Sequence, residues 1–297
     1  MLPQQRSAEL LGEMCGLPMS AATVQIATQR VQEQVKPVVL AIRQALLGAP
    51  VLNADESGLR VIKLLQWLHV ACTESLVWMA RHAKRGKEAF DTLELLPRYH
   101  GVLVHDGWQP YRELACLHAL CNAHHLRELI FRAEELQQSW ALEMIDLLRQ
   151  GCHEVNESPG GVLEASRLAH FSSEYTSILD AAEHEHPRVQ PQPGKRGRPK
   201  QSKATNLLGR LREHTQDVWR FASHALVPFT NNAAEQLMRM LKVKIKIKIA
   251  GTFRTEAGAD TFCAIRSYLA TMLRQGHSAF ECLTLVLQGQ IPQPRVG

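Results

Sequence analysis

Val51-Leu-Asn-Ala-Asp-Glu-Ser-Gly-Leu59 and Gly101-Val-Leu-Val-His-Asp-Gly-Trp108 are apolar runs that each reach an aspartate and then a glycine. β-branched residues followed by a turn-forming residue are typical of a strand and its end. The pattern predicts two strands that deliver Asp55 and Asp106 at their ends.

A third acidic residue lies far along the chain, in Thr230-Asn-Asn-Ala-Ala-Glu-Gln-Leu-Met238. Asn231 and Asn232 are both good helix N-caps, and Asn232 is expected to cap and orient the helix that follows. Glu235 should therefore project from a helix, about one turn after its start.

Two strand-borne aspartates and a helix-borne glutamate form an all-oxygen ligand set for hard divalent cations. Two Mg²⁺ (or Mn²⁺) ions about 3.5–4 Å apart suit phosphodiester chemistry. Asp55 would bridge both ions, while Asp106 and Glu235 would each hold one. Glu56 is the rival of Asp55, but neighbouring strand residues point to opposite faces. The alternative is that these are unrelated members of the chain's 29 acidic residues.

The coarse pattern predicts helices over residues 7–49, three strands over 51–80, a helix over 84–96 and a fourth strand over 101–105. This β-β-β-α-β order is typical of a ribonuclease-H arrangement. The expected fold class is α/β: a ribonuclease-H-like mixed sheet flanked by helices, with a helical insertion before the last catalytic helix.

The expected domains follow from this order. Residues 1–50 form an N-terminal helical segment, and residues 51–130 with 226–290 form the catalytic domain. Residues 131–225 are a mostly helical insertion that contains a basic, proline-rich linker at 183–203. A pair of helices near 257–275 and 278–288 closes the domain.

Two basic segments are candidates for DNA contact. Lys195-Arg-Gly-Arg-Pro-Lys200 resembles an AT-hook that would place Arg196 and Arg198 in a narrow minor groove; a solvated linker is the alternative. The second segment alternates lysines with apolar residues, which predicts a strand with one cationic face or, alternatively, a lysine-protected edge strand. Its candidate phosphate contacts, with a preceding arginine, are Arg239, Lys242, Lys244, Lys246 and Lys248.

Three further features are less specific. Residues 8–25 resemble a helix-turn-helix, although such helix pairs are commonly plain packing units. Five cysteines and histidines crowd residues 116–125, but their spacing is poor for a tetrahedral zinc site. In the alternative reading, Cys121 is buried while His124, His125 and Arg127 begin a helix that faces the substrate phosphate. His105 either supports Asp106 or points outward from its strand.

Composition bounds the class of protein. A length of 297 residues allows a large core, and a net charge of +5 favours polyanionic partners. The odd number of scattered cysteines argues against a disulfide framework and fits a reducing bacterial cytoplasm, with the chain associated with the nucleoid. No apolar run is long enough for a membrane span, and no signal peptide is evident.

Several long strings resemble the catalytic part of the insertion-sequence-66 family of DDE transposases. They follow the family's order through nearly the whole chain and include Asn53-Ala-Asp-Glu-Ser-Gly-Leu-Arg60, Lys84-Arg-Gly-Lys-Glu-Ala89, Val104-His-Asp-Gly-Trp108, His118-Ala-Leu-Cys-Asn-Ala-His-His-Leu-Arg-Glu128, Asn231-Asn-Ala-Ala-Glu235 and Phe262-Cys-Ala-Ile-Arg-Ser-Tyr268. The resemblance implies a ribonuclease-H-like fold and a metal-dependent triad of Asp55, Asp106 and Glu235. The chain departs from the family at Gln236 and in the run 242–249, and neither departure removes a proposed ligand.

The resemblance implies cleavage of the ends of a mobile DNA element, followed by joining of the freed 3′-hydroxyl to target DNA. Assembly of a homo-oligomer on DNA is a further expectation. Complete members of the family carry additional N-terminal DNA-binding segments, so the chain is expected to be a truncated copy or a catalytic fragment. The alternatives are a catalytically impaired DNA-binding remnant and a ribonuclease-H-type nuclease without strand joining.

Overall fold

The computed structural model of the chain describes residues 3–191, 197, 199–246 and 252–296, and it describes the backbone alone for residues 240–246. The described strands are β1 (Val51–Val61), β2 (Leu64–Cys72), β3 (Val77–His82), β4 (Val102–His105) and β5 (Leu117–Leu120). The α-helices are α1 (Gln4–Cys15), α2 (Ala21–Leu47), α3 (Lys87–Leu93), α4 (Gln109–Arg112), α5 (Asn122–Leu136), α6 (Ser139–Glu157), α7 (Ala165–Glu185), α8 (Lys203–Glu213), α9 (Thr215–Val218), α10 (Arg220–Ser223), α11 (Asn232–Lys246), α12 (Glu256–Arg274) and α13 (Ala279–Leu287), with a 3-10 helix at Leu96–Arg98. No helix among the described residues is long and apolar enough to cross a bilayer.

The five strands form one sheet in the order β3-β2-β1-β4-β5. β1 pairs antiparallel with β2, and β2 pairs antiparallel with β3. The Val102 amide at the start of β4 donates to the carbonyl of Pro50, just before β1, at 3.0 Å. β4 and β1 are neighbours in the sheet, and this bond joins their starts. An antiparallel β4 would pair with the residues before β1, at the end of α2, so β4 runs parallel to β1. The expected α/β class with a mixed sheet flanked by helices is confirmed.

β1 is longer than the sequence predicts. It continues through Asp55 to Val61, and Gly58 stays in the ladder opposite Trp67. The turn instead falls at Ile62 and Lys63, whose φ values are 49° and 66°. The expectation of a strand end at Asp55 is therefore wrong, because cross-strand pairing with β2 overrides the local preference of glycine for a turn.

The chain divides into two compact units. The first unit comprises residues 1–103, 108–117 and 232–297, and the second comprises residues 104–107 and 118–231. The domain boundaries expected from the sequence remain a prediction.

α2 and α12 supply much of the core of the first unit. The side chains of Val35, Ile42 and Leu46 on α2 are buried with Tyr268 and Met272 on α12 in one cluster. Ser20 caps α2 by accepting a hydrogen bond from the Thr23 amide at 3.1 Å, as its sequence predicts. The start of α2 therefore follows the sequence pattern.

The core of the second unit is aromatic. The Trp219 ring lies 5.3 Å from the Phe171 ring, 5.7 Å from the Phe221 ring and 6.0 Å from the Tyr175 ring. Gly151 on α6 makes room for this cluster, because a Cβ at that position would lie 2.6 Å from Cζ3 of Trp219. The insertion is therefore a packed helical body with its own core.

Hydroxyl groups on α12 bond to backbone amides of β3, the strand at one edge of the sheet. The Val77 amide donates to Oγ1 of Thr271 at 2.9 Å, and the Met79 amide donates to Oγ of Ser267 at 2.8 Å. Both hydroxyl groups are buried. An edge strand leaves such amides without a ladder partner, so α12 satisfies them with side chains.

Replacing Thr271 with valine should lower the free energy of unfolding by about 1–3 kcal/mol, because the buried Val77 amide loses its acceptor without a change in side-chain shape. Urea unfolding measures the effect. Thr176→Val is the control: Thr176 is exposed and bonds to the Ser172 carbonyl of its own helix, so its change should stay within about 0.5 kcal/mol. Equal effects at the two positions would contradict the role of the hydroxyl.

Candidate active site

Asp55 lies in the middle of β1, opposite Val70 of β2. Its carboxylate is half-buried, and Oδ1 accepts the Glu56 amide at 2.8 Å. The strand ladder on the β2 side fixes the backbone of Asp55, so the direction of its carboxylate is set by the pleat of the sheet.

Glu56 has a different environment from Asp55. Its side chain is fully buried, and Oε1 accepts hydrogen bonds from Nε and Nη2 of Arg85 at 2.8 and 2.6 Å. The Tyr111 hydroxyl donates to Oε2. The Arg85 guanidinium also lies over the rings of Trp108 and Trp67, at 3.9 and 4.9 Å from their centroids. Glu56 is thus committed to a buried ion pair, which argues against it as the rival of Asp55.

Asp106 follows the last residue of β4 and is half-buried. It sits in a turn whose next residue, Gly107, has a φ of 85°. His105 is fully buried, so its reading as an outward-facing strand residue is wrong. The left-handed φ explains why glycine follows the aspartate.

Glu235 is the fourth residue of α11 and is half-buried. Its neighbours Ala234 and Met238 are buried in a cluster with Leu59 of β1 and Val70 of β2. An acidic residue in the first turn of a helix is favoured by the helix dipole. α11 therefore packs on the β1–β2 part of the sheet within the first unit and carries a carboxylate there.

Asp55 and Glu235 belong to the first unit, and Asp106 belongs to the second. Asp106 and Glu235 lie where their sequence predicts, at the end of a strand and at a helix start, whereas Asp55 lies within a strand and not at its end. A shared metal site remains a prediction.

The sequence matches a family model described as the transposase IS66 family, over residues 1–261. The chain belongs to the IS66 transposase family. This confirms the resemblance inferred from its sequence strings. No curated protein matches the chain. Membership in this family implies that the chain uses a divalent metal and binds DNA.

The expectation of a strand with one cationic face in this IS66 member is wrong. Residues 232–246 form α11, so Lys242, Lys244 and Lys246 are helical, and positions two apart in a helix do not share a face. Lys248 lies outside the described residues, as do Arg196 and Arg198 of the AT-hook-like segment. Arg239 is exposed on α11, one turn after Glu235.

The supporting residue Asn232 occupies a different helix position from the one expected. α11 begins at Asn232, so Asn231 occupies the N-cap position, and Asn232 is the first helical residue. Asn231 is buried, and its backbone amide donates to Sγ of Cys121 at 3.0 Å. The Cys121 amide donates to the His105 carbonyl at 2.9 Å. Cys121 therefore ties the segment before α11 to the end of β4.

α5 follows Cys121 and carries the other supporting residues. Arg127 is exposed and His124 is half-buried, and their contact with a substrate phosphate remains a prediction. His125, which the sequence grouped with them, is buried, and its Nδ1 donates to Oδ1 of Asn122 at 3.1 Å. Burial lowers its pKa to about 3. His125 is thus neutral and structural, and its reading as part of a basic face is wrong.

Two residues near this site were missed in the sequence, Arg85 and Tyr111, which hold Glu56. The sequence singled out His105 but not its bonds to Gly107 and His118. Arg85 lies in one of the quoted family strings, but its spacing from Glu56 carries no periodicity that would reveal the pair.

Arg85→Met should lower the free energy of unfolding by about 3–5 kcal/mol, because it leaves a buried carboxylate without its cation. Adding Glu56→Gln should recover at least about half of that loss, since the uncompensated charge is removed. Arg210→Met is the control: Arg210 pairs with Glu128 at the surface, and its loss should cost at most about 1 kcal/mol. Urea unfolding separates these cases, and an Arg85→Met change no larger than the control would contradict the pairing.

Lowering the pH from 7 to 5 should destabilise the protein by about 2 kcal/mol through His125 alone. The folded-state pKa of His125 lies below its ordinary value of 6.5, so the unfolded chain takes up a proton that the folded chain does not. Stability is therefore full above about pH 6.5 and falls as the pH drops toward 3. His125→Gln should flatten this part of the dependence in urea unfolding series at pH 7, 6 and 5; an unchanged slope would contradict the assignment.

Proposed function

We propose that this chain is a DDE transposase that cuts the ends of a DNA element and joins them to target DNA. The carboxylates of Asp55, Asp106 and Glu235 would hold two Mg²⁺ or Mn²⁺ ions. The observation that carries the proposal is membership in the IS66 transposase family over residues 1–261. All three proposed ligands lie within the matched residues.

The strand register supports the pairing of the two aspartates. The bond from the Val102 amide to the Pro50 carbonyl fixes the starts of β4 and β1 side by side. Asp55 lies five residues after Pro50, and Asp106 lies four residues after Val102. The chain order β1, β2, β3, α3, β4 also fits the ribonuclease-H-like fold that we propose.

The donor set suits the proposed ions. All three side chains are carboxylates, the ligands that hard cations prefer, and each is half-buried. Half-burial keeps a carboxylate within reach of a substrate while limiting its exposure to bulk water. Glu235 has the support of a helix packed on β1 and β2 through Ala234 and Met238.

When bound, two divalent ions activate the attacking oxygen and neutralise the charge that develops on the phosphodiester. The protein's own contribution is to orient ligands and hold DNA. Asp55, Asp106 and Glu235 would hold the ions, and Arg239, one turn beyond Glu235, would contact a backbone phosphate. A net charge of +5 favours the approach of DNA.

Asp106→Asn and Glu235→Gln should each reduce Mg²⁺-dependent cleavage of plasmid DNA carrying the element's own ends by more than about 100-fold. A loss of about 100-fold is the upper limit of what removing a residue that only orients a metal ligand generally causes, so a larger loss indicates a ligand itself. DNA affinity in gel-shift titrations should change little, because phosphate contacts come from cations elsewhere. Asp91→Asn is the matched control, since Asp91 is an exposed acid on α3, and it should cleave normally.

The products distinguish the candidate functions. Cleavage followed by strand joining supports the transposase, and cleavage without joining indicates a ribonuclease-H-type nuclease. Metal-independent DNA binding without cleavage indicates a non-catalytic remnant. Full activity of Asp106→Asn or Glu235→Gln would refute the proposed ligand set.

A further inference from the structure

His105, directly before Asp106, is engaged at both ring nitrogens. Its Nδ1 accepts the Gly107 amide at 3.0 Å, and its Nε2 lies 3.2 Å from Nδ1 of His118. The two imidazole rings meet edge to face, with centroids 5.2 Å apart and an interplanar angle of 88°. The ring of His105 is fully buried, so these contacts are made out of water.

The bond pattern fixes the tautomer of His105. Because the Gly107 amide is a donor, Nδ1 of His105 must be unprotonated, and the ring proton is on Nε2. Nε2 then donates to Nδ1 of His118. The result is a one-way series of hydrogen bonds from Gly107 through His105 to His118, and it requires an uncharged His105.

The residues on both sides of Asp106 are held by hydrogen bonds. The His105 carbonyl accepts the Cys121 amide at 2.9 Å, so the residue before the aspartate is anchored by its backbone. The residue after it, Gly107, is anchored by the His105 ring and has a left-handed φ. A bond from a side chain to the amide two residues on closes a turn around the residue between them.

The far end of the series is anchored too. The His118 carbonyl accepts a hydrogen bond from Nε of Arg220, and Nη2 of Arg220 pairs with Oδ1 of Asp217 at 2.8 Å. Arg220 lies on α10 and Asp217 lies on α9. These two helices therefore fix the backbone of His118. All of these contacts lie within the second unit.

We propose that His105 and His118 are positioning residues that set the backbone angles of Asp106 and thereby aim its carboxylate at the metal. The inference rests on the proposed function, in which Asp106 is a ligand. Neither histidine touches the metal in this proposal. Outer groups that orient a metal ligand are generally worth 10–100-fold in metal affinity or activity.

Three substitutions separate the two bonds of His105. Asparagine places an acceptor near the position of Nδ1 and can bond to the Gly107 amide in an Asx-turn. Glutamine carries its polar end near Nε2 and leaves Gly107 without its acceptor. Leucine removes both bonds while keeping an apolar side chain in a buried position. His118→Leu removes the outer bond only.

The test measures binding of Mn²⁺ to the full chain by loss of the free-ion signal in electron paramagnetic resonance, alongside Mn²⁺-dependent DNA cleavage. His105→Asn should stay within about threefold of the parent in Mn²⁺ affinity, whereas His105→Gln and His105→Leu should bind about 10–100-fold more weakly. His118→Leu should fall between them. DNA affinity without metal should be unchanged in every variant, which separates a positioning role from unfolding.

Asp106→Asn serves as the reference for the proposed function. If it binds Mn²⁺ as the parent does, the ligand assignment itself fails. If it loses Mn²⁺ binding while His105→Gln retains parental affinity, the ligand assignment stands and the positioning role is overturned. Should His105→Leu fail to fold, the comparison of His105→Asn with His105→Gln decides, and equal Mn²⁺ affinities for these two would overturn the inference.

Discussion

The pleat of β1 is the constraint on which the proposed chemistry depends. Asp55 and Glu56 are adjacent acids, and a strand sends neighbouring side chains to opposite faces. On one face, the buried carboxylate of Glu56 pairs with Arg85 and accepts a hydrogen bond from Tyr111. On the other face, Asp55 stays half-buried. A slip of one residue in the β1–β2 register would exchange these environments. The buried ion pair opposes such a slip, because a misplaced Asp55 would be too short to reach the same partners.

The elements that carry strong local signals could be predicted from the sequence. Ser20 caps α2, the closing helices α12 and α13 lie where their periodicity places them, and the apolar run before Asp106 forms β4. These signals are short-range, so a single sequence contains them in full. The same holds for the acidic residues that we propose as ligands, whose local contexts predicted a strand for Asp55 and a helix for Glu235.

The rest could not be predicted, because it depends on pairing between distant residues. Gly58 looked like the end of a strand, yet its pairing with Trp67 keeps it in the ladder. Alternating lysine and apolar residues looked like a strand, but the helix that starts at Asn232 continues through Lys246. At Gly58 cross-strand pairing overrides a local pattern, and at the lysines the helix already under way does so. Glu56 and Arg85 form a pair that no spacing in the sequence reveals.

The three proposed ligands differ in the regular structure that holds their backbones, and Asp106 is the one whose neighbouring residues are tied to a buried ring. Asp55 is fixed by the ladder between β1 and β2, and Glu235 is fixed by the hydrogen bonds of α11. Asp106 is the first residue after β4 ends. A ligand in a turn must take its rigidity from side chains, because a misplacement of about 1 Å weakens a catalytic site greatly. The buried ring of His105, bonded to the amide on the far side of the aspartate, supplies that restraint at the position where regular secondary structure ends.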